Sequence, residues 1–441
     1  MIYIMADDLT GANDSGVQLS KQGLKTMVYI DPLCSDENDT SGILNTADVL
    51  VVDTETRDLS EDQAGQIISK AVERLQLENR SDILFYKKID STLRGNIGKE
   101  IEVLMELLNK DLCIISPSFP HNKRITAGGY LLVNNEPLGT SQYFSGQLEP
   151  WEGTYIPHFI QQQTQLPVGL IELKDVMKGE TEILNRLEIL YKEGKKIIII
   201  DAVIEHHLKE IMNSSRKFQG SILYCGSAGL ANYLVDLNEV KKRKIKKLSS
   251  CNQPILTVIG TRNKIMEKQI EYYREMMSVS YLKIDLKGVL RNKRSVFLEY
   301  KDQAIRAIKG GKHLILHPDP IYNGEGGANN LIKKEQISFR ELEVIIRDFL
   351  ARLTATIVRT AGVENLILTG GDTAIGVCKE LGINSLIILD ELLPGIPLSF
   401  ANNKHYKNIK LITKAGGFGG EDTLYQLALN LINYGNAEVK V

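Results

Sequence analysis

The chain has 441 residues, of which 43% are hydrophobic and 24% charged, and its formal net charge is −2. This length exceeds one ordinary hydrophobic core, so we expect two domains, and the composition is typical of soluble globular enzymes. The near-neutral charge argues against a nucleic-acid-binding protein, and no apolar run approaches a membrane span. Acidic residues from position 7 onward and five scattered cysteines without a CxxC pair predict a cytoplasmic protein with reduced thiols and no signal peptide.

The first half of the chain alternates short apolar runs with amphipathic segments. Ser60 followed by Gln63 forms a capping-box pattern, which predicts a helix start. Buried strands that alternate with such helices indicate a mostly parallel sheet covered on both faces, which is an α/β fold. Residues 117–165 interrupt this rhythm with five prolines, and we predict an irregular insertion with a hairpin near 125–133. The predicted strands are 2–5, 26–30, 48–52, 83–86, 112–116, 197–201 and 222–225.

The second half repeats the α/β pattern after a dense basic run. That run can bind nucleic acid, but its position between two α/β regions favours a solvated linker. We therefore predict domains at 1–240 and 253–441, joined by a linker at 241–252. A long helix is predicted from about residue 339 to 361. The predicted strands are 255–259, 281–284, 313–316, 366–368, 387–389 and 410–412.

Two adjacent carboxylates, Asp7 and Asp8, directly follow the first predicted strand. Ligands of open α/β sheets bind at the carboxyl ends of the strands, beside helix N-terminal amides. Crowded carboxylates raise one another's pKa, so an adjacent pair needs a reason. The simplest alternative is that one acid caps the helix while the other faces water. Acid- and hydroxyl-rich loops also follow three further strands, at 53–57, 88–96 and 116–124, and their common sheet edge favours a shared pocket.

Polar side chains in these loops suit a small hydroxy-acid. Arg57 and Arg94 can bind a carboxylate bidentately, which lysine does less well. Taken singly, Arg94 would be a surface salt bridge and residues 91–92 a helix cap. The other side chains that would supply charge and hydroxyl contacts are Lys88, Asp90, Ser91 and Thr92.

Three small-residue turns follow strands in the second half, at 260–263, 369–373 and 416–423. Glycines let backbone amides approach an anion, and the helix that follows adds its positive end. One such turn is weak evidence, but three in one domain predict a nucleotide site. None is a GxxxxGK[ST] or GxGxxG motif, so the fold is neither of those fingerprinted types. The amides of the last turn can receive a transferring phosphoryl group, with Asp422 orienting the nucleophile.

Five motifs, taken in order, resemble the four-carbon acid sugar kinases, and the resemblance spans nearly the whole chain. It implies an N-terminal sugar-acid-binding domain and a C-terminal nucleotide-binding domain. The implied activity is ATP-dependent phosphorylation of the 4-hydroxyl of D-threonate, D-erythronate or 3-oxo-tetronate. The seven histidines show no metal pattern, so we expect no structural zinc, but a kinase would bring Mg²⁺ with its nucleotide. The motifs are Ala6 to Ala12, Lys88 to Asn96, Thr369 to Thr373, Pro394 to Pro397 and Gly416 to Gly419.

Carried over by position, the resemblance implies roles for individual residues. Two departures affect the nucleotide side: the first turn is usually serine-rich in the family, and Ala415 stands where Ser or Thr is usual. The implied substrate contacts are Asp7, Asp8, Arg57, Lys88, Asp90, Ser91, Thr92 and Arg94. The implied nucleotide contacts are Gly260, Thr261, Asn263, Gly370, Gly371, Asp372, Thr373, Gly395, Gly416, Gly417, Phe418 and Gly419.

Our leading hypothesis is a kinase that transfers a phosphoryl group across the cleft between two α/β domains. The first candidate for the base near the 4-hydroxyl is Asp8, followed by Asp90 and then Asp422, whereas Asp7 would hold the loop. A catalytically silent sugar-acid and nucleotide sensor is the alternative, supported by the unusual 260–263 turn. A dehydrogenase is a third possibility, weakened by the missing dinucleotide fingerprint. We expect small-molecule ligands only, no nucleic acid or membrane, and leave a homodimer open.

Overall fold

The computed structural model describes residues 1–30, 47–78, 80, 82–141, 154–235, 253–318, 327–403, 405–406 and 408–434. The chain divides into two compact units, Met1–Arg243 and Lys244–Val441. Each unit holds a sheet that is wholly or mostly parallel, with helices between its strands, so the predicted α/β class is confirmed. The predicted linker at 241–252 and part of the predicted insertion lie outside the described residues.

The sheet of the first unit runs in the order β2-β3-β1-β4-β11-β5-β10-β9, and every described pairing in it is parallel. Strands β2 and β3 lie on one side of β1, and β4, the next strand in the chain, lies on its other side. This reversal marks the position where open α/β sheets bind ligands. The strands are β1 Ile2–Ala6, β2 Thr26–Tyr29, β3 Val49–Asp53, β4 Leu84–Lys88, β5 Leu112–Ser116, β6 Arg124–Ala127, β7 Tyr130–Val133, β8 Glu136–Pro137, β9 Val168–Ile171, β10 Ile197–Ile200 and β11 Ile222–Gly226.

Side-chain caps start three helices of the first unit, at Asp8, Ser60 and Ser227. The Ser60 side chain accepts a hydrogen bond from the Gln63 amide, and the Gln63 side chain accepts one from Ser60, so the predicted capping box is confirmed. Strands β6 and β7 form the predicted antiparallel hairpin, with Ile125 opposite Leu132. The helices are α1 Leu9–Ser20, α2 Glu61–Arg74, α3 Ile97–Leu107, α4 Ile156–Gln161, α5 Leu173–Val176, α6 Glu180–Lys192, α7 Glu205–Ser215 and α8 Ala228–Ala231.

The sheet of the second unit runs in the order β13-β14-β12-β15-β18-β17-β16. Its first five strands are parallel, whereas β16 and β17 form an antiparallel hairpin whose second strand pairs with β18. The strands are β12 Ile255–Ile259, β13 Val279–Ile284, β14 His313–Pro318, β15 Asn365–Thr369, β16 Ser385–Leu393, β17 Ile396–Ala401 and β18 Lys410–Lys414. The helices are α9 Ile265–Met276, α10 Leu286–Arg291, α11 Lys293–Lys309, α12 Gly327–Glu335, α13 Phe339–Ala361, α14 Gly371–Leu381 and α15 Thr423–Asn433.

The core of the second unit lies between its central strands and two helices. Ile259 of β12 and Ile412 of β18 pack in one buried cluster with Met266 of α9 and Leu424 of α15. This packing fixes α9 and α15 beside the strand ends from which the glycine turns start. Among the helices that the structure describes, none is long and apolar enough to cross a membrane.

Candidate functional site

One guanidinium group holds both carboxylates of the predicted acid pair. Arg57 lies in the loop after β3, and Asp7 and Asp8 follow β1, the neighbouring strand. Arg57 Nε and Nη2 each donate to Asp7 at 2.9 Å, and Nη1 and Nη2 donate to Asp8 at 2.5 and 2.8 Å. Such paired, charge-assisted bonds fix geometry as well as charge. The donors of Arg57 are therefore engaged by protein carboxylates.

The two acids of this pair differ in proton affinity. Burial alone would raise the pKa of Asp7, which is 2% exposed, but Arg57 and Lys87 outweigh it and the pKa is lowered. Burial also raises the pKa of Asp8, and the neighbouring Asp7 charge adds to this effect, so its pKa is raised despite Arg57. Desolvation and a like charge both disfavour an ionised carboxyl. Asp7 is thus a fixed anion, whereas Asp8 takes up a proton more readily.

Asp8 has a structural task as well. Its Oδ1 accepts a hydrogen bond from the Gly11 amide at 2.7 Å and caps α1. A Cβ at position 11 would lie 2.7 Å from that oxygen and 3.0 Å from Lys88 Nζ, so a larger residue there would displace the Asp8 carboxylate from its position at the cap. The first part of the alternative is therefore correct, because Asp8 caps the helix, but the second part is wrong, because Asp7 is buried and does not face water. The cap also keeps the second oxygen of Asp8 close to Arg57.

The loop after β4 adds a second set of charges beside the first. Asp90 accepts hydrogen bonds from Arg94 Nε, at 2.6 Å, and from the Thr92 hydroxyl. Burial opposes ionisation of Asp90, but these bonds and the nearby Arg57 lower its pKa. Asp90 is therefore a firm anion and poorly suited to accept a proton. The side chain of Arg94 is 51% exposed and bonds Asp90 only through Nε.

Two buried acids in this unit were missed by sequence reasoning. Glu100 of α3 forms an ion pair with Lys87 inside the core, and Lys87 also lowers the pKa of Asp7. Asp53, the last residue of β3, is buried beside Ala6, and burial, Glu55 and Asp8 raise its pKa well above the usual value. The sequence did offer a signal for such acids. Lys87 and Lys88 are consecutive in a buried strand, and because buried charges are rare unless paired, they indicate acidic partners nearby.

In the second unit the three glycine turns start side by side. Strands β12, β15 and β18 are neighbours, and Ile259, Thr369 and Lys414 are in register. The Gly260 amide donates to Thr369 O at 3.1 Å, and the Gly370 amide donates to Lys414 O at 2.9 Å. The turns at 260–263, 369–373 and 416–423 therefore lie together, as predicted from their position after parallel strands.

The turns also interlock. A Cβ on Gly260 would lie 1.7 Å from Thr373 Oγ1, and one on Gly416 would lie 1.9 Å from Thr261 Oγ1. Each glycine is thus required by a side chain of a neighbouring turn. Gly370 and Gly419 have φ of +93° and +82°, which L side chains rarely adopt.

The remaining predicted nucleotide residues lie on or near these turns. Asn263 approaches Gly417, and Phe418 packs against the core cluster. The turn at residues 394–395 joins β16 to β17, and the pairing of Leu398 with Ile412 brings it to the β18 end that carries residues 415–420. The other predicted residues near these turns are Gly371, Asp372 and Thr373 in the first turn of α14 and the exposed Asp422 before α15.

Arg262, which distinguishes the first turn, is directed toward α13. Its Nη2 atom contacts Glu343 Oε1 at 2.6 Å, and its guanidinium carbon lies 4.1 Å from the centre of the Phe339 ring.

Within the chain that the structure describes, no group of three His, Cys, Asp or Glu side chains is arranged to hold a metal ion.

Adding a methyl group at Gly416 is expected to destabilise the second unit. Gly416→Ala forces its Cβ against Thr261, and overpacking of this kind costs about 2 kcal/mol of unfolding free energy. Urea unfolding of the full chain measures this loss. The matched control is Gly362→Ala, where φ is +69° but nothing lies within 4 Å, so backbone strain of about 1 kcal/mol is the only cost. Equal losses in both variants would show that the interlock contributes nothing.

Both halves of the chain match known domain families. Residues 2–234 match a model described as a sugar-binding N-terminal domain, and residues 256–424 match one described as a nucleotide-binding C-terminal domain. The chain is 31% identical to a D-threonate kinase of Salmonella typhimurium, with 96% of each chain covered. It is 28% identical to a D-erythronate kinase of Heliobacterium modesticaldum, covering 96% of this chain and 94% of that one. It is 25% identical to a 3-oxo-tetronate kinase of Haemophilus influenzae, covering 96% and 98%.

Two solved structures share the fold. A Salmonella typhimurium protein matches with a TM-score of 0.79 at 22% identity, covering 97% of this chain and 98% of that one. A Haemophilus influenzae protein matches with a TM-score of 0.73 at 24% identity, covering 98% and 99%. At these identities the likeness concerns the fold, whereas the two domain models and the named relatives establish the family. The chain belongs to the four-carbon acid sugar kinases.

Proposed function

We propose that this kinase uses ATP to phosphorylate the 4-hydroxyl of D-threonate, D-erythronate or 3-oxo-tetronate. The observation that carries the proposal is the interlocked set of glycine turns within the region that matches the nucleotide-binding domain. Close-packed glycine turns at helix N-termini suit phosphate oxygens. We further propose that the substrate binds residues 1–240 and the nucleotide residues 253–441.

Arg94 is the best candidate to bind the carboxylate of the sugar acid. Its Nη atoms make no hydrogen bond within the described chain, and its side chain is half exposed. Two Nη donors on one plane match a carboxylate bidentately. Arg57 has the same chemistry, but Asp7 and Asp8 occupy its donors, so we assign it to holding those acids. Lys88, Ser91 and Thr92 would contact the hydroxyl groups.

Asp8 is the best candidate to orient the 4-hydroxyl and accept its proton. Its raised pKa fits a proton acceptor, whereas the lowered pKa values of Asp7 and Asp90 fit permanent anions. Such a base supplies a modest share of the acceleration, because positioning and charge stabilisation dominate phosphoryl transfer. Asp422 stays a rival from the nucleotide side.

The nucleotide side would stabilise charge rather than move protons. Backbone amides of residues 416, 417 and 419–421 would bind phosphate oxygens through bonds that strengthen as charge develops. Mg²⁺ bound with ATP would neutralise part of the negative charge of the phosphates. The exposed carboxylate of Asp372 fits one ligand of such an ion, with phosphates and water supplying the others.

A panel of four-carbon acids tests the proposed function. We expect ATP consumption, coupled to ADP detection, with D-threonate, D-erythronate or 3-oxo-tetronate, and dependence on Mg²⁺. One acid should exceed the others in kcat/KM by about 10-fold or more, because a pocket built to bond a hydroxyl rejects an analogue that places it differently. Binding of nucleotide and acid without turnover on any of the three would refute the kinase and favour the sensor.

A further inference from the structure

A buried lysine lies directly beneath the last glycine turn. Lys414 ends β18 and is 2% exposed. Its Nζ donates to the carbonyl oxygens of Ala415 and Gly416 at 3.1 and 3.3 Å, and lies 3.5 Å from Met266 Sδ. The ammonium group thus bonds two successive peptide carbonyls from the protein side of the turn.

A buried glutamine does the same for the rest of the turn. Gln269 of α9 is fully buried, and its Nε2 lies 3.2, 3.4 and 2.8 Å from the carbonyl oxygens of Phe418, Gly419 and Gly420. Buried amide donors are costly to leave unpaired, so this contact is a stable part of the core. Together the two side chains bring donor nitrogens to five carbonyl oxygens between residues 415 and 420, and the two N–H groups of Gln269 are shared among three of them.

Because each peptide group is planar, the direction of a carbonyl also fixes the direction of the next residue's N–H. The described chain has no cis peptide bond, and in a trans peptide the C=O and the following N–H point in opposite directions. Carbonyls held toward the protein therefore direct the amides of residues 416, 417, 419, 420 and 421 away from it. None of these amides donates a hydrogen bond within the chain that the structure describes.

We infer that Lys414 and Gln269 are positioning residues, which hold the carbonyls of this turn inward so that its amides form an anion-binding surface. The inference rests on the proposed function, because the anion in question is the phosphate of the nucleotide. Neither side chain need touch the ligand, and successive N–H groups that face one side form an anion-binding concavity. The sequence motif alone does not reveal the arrangement, since Gln269 lies about 150 positions away in the chain.

Lys414 also places a titratable charge beneath the same surface. Burial lowers its pKa to about 8. The neighbouring helix α9 carries Glu267 and Lys268, Lys268 pairs with Glu421 of the turn at 2.5 Å, and Asp422 before α15 is exposed. A bound phosphate would favour the protonated lysine. Nucleotide affinity is therefore expected to fall as the pH rises through about 8.

The test compares three substitutions in the full chain. Lys414→Met and Gln269→Met remove the donors while keeping apolar volume, and Lys410→Met is the matched control. Lys410 is also buried in β18, on the same face but four residues earlier, and its Nζ has no partner within the described chain. We expect ADP affinity, measured by titration calorimetry, to fall about 10-fold or more in the first two variants, because each loses several donated bonds. The control should stay within about twofold of wild type.

Two further readouts separate positioning from general damage. Hydrogen exchange of the Phe418 and Thr423 amides, which donate to Ala415 O and Gly420 O at 3.1 and 3.3 Å, should accelerate in nucleotide-free Lys414→Met and Gln269→Met but not in Lys410→Met. The wild-type loss of ADP affinity above about pH 8 should disappear in Lys414→Met and be absent in Lys414→Arg, which keeps its charge.

The outcomes distinguish this inference from the proposed function. Unchanged ADP affinity in both folded variants, or unchanged exchange of the turn, overturns the positioning role. If the wild type binds no ADP, the proposed nucleotide site fails, and the exchange data alone then decide whether the two side chains hold the turn.

Discussion

Asp8→Asn is expected to lower kcat by about 100- to 10,000-fold, the range attributed to a positioned base. Asparagine caps helices as well as aspartate does, so its Oδ1 can keep the bond to the Gly11 amide. Arg57 retains Asp7 as its partner, and the loop should keep its shape. Steady-state kinetics with the preferred acid measure the loss, and thermal unfolding confirms that the variant is folded. The substitution therefore keeps the helix cap while it removes the proton acceptor and the bond from Arg57 Nη1 to the second oxygen of Asp8.

The pH dependence gives an independent check on Asp8. The group must be ionised to accept a proton, and its pKa is raised by burial and by Asp7. Wild-type kcat/KM should thus decline on the acid side through an apparent pKa above that of an ordinary aspartate, and Asp8→Asn should lack this limb. Normal turnover and unchanged substrate affinity in Asp8→Asn would show that Asp8 is not the base.

The companion variant, Asp90→Asn, should change KM for the acid more than kcat, because Asp90 holds Arg94.

Arg57→Met is expected to reduce the free energy of unfolding by about 3–5 kcal/mol, because it leaves two largely buried carboxylates without their cation. Urea unfolding of the full chain at pH 7 measures the loss, and hydrogen exchange should locate it at β1 and the start of α1. The control is Arg80→Met, which breaks an exposed Arg–Asp pair and should change stability little. If both variants unfold at the same urea concentration as wild type, Arg57 does not anchor the loop.

At acidic pH, Arg57→Met and wild type should differ less in their free energy of unfolding than at pH 7. The pKa of Asp7 is lowered in the folded protein, so its stabilising contribution is present above the ordinary aspartate pKa and is lost as the pH falls through the folded value. In the variant, Asp7 and Asp8 become protonated at a higher pH than in wild type, which removes the cost of two unpaired charges. Urea unfolding of both proteins at pH 7 and near pH 4 measures whether the difference in unfolding free energy shrinks as the pH falls.

Periodicity and caps were sufficient to locate most elements of the fold. The strands at 112–116 and 255–259 and the helix at 339–361 have the predicted bounds. Strand β9 was missed because its four residues include a glycine and carry little pattern, and β17 because Pro397 argues against a strand. A proline is tolerated there since the hairpin pairing need not use every amide.

The positions of the motifs after parallel strands predicted which loops lie together, but they did not predict the individual contacts between side chains. Parallel strands bring their carboxyl ends to one edge, so the loops at 7–14, 53–57 and 88–96 could be grouped from sequence alone. That Arg57 binds both Asp7 and Asp8 depends on the register of β1 with β3, which the sequence does not display. The carbonyl contacts of Gln269 depend on how α9 packs against the turn, which is again a property of the folded core.

The interlock of the glycine turns couples the effects of substitutions in one turn to the residues of its neighbours. Thr261 fills the space over Gly416, and Thr373 fills the space over Gly260, so a larger residue at either glycine requires a smaller one opposite. Substitutions at these sites are therefore epistatic: each alone is harmful, whereas compensating pairs are tolerated. Relatives can then carry different residues in the first and last turns while keeping one surface. Chimaeras between family members should exchange the three turns together.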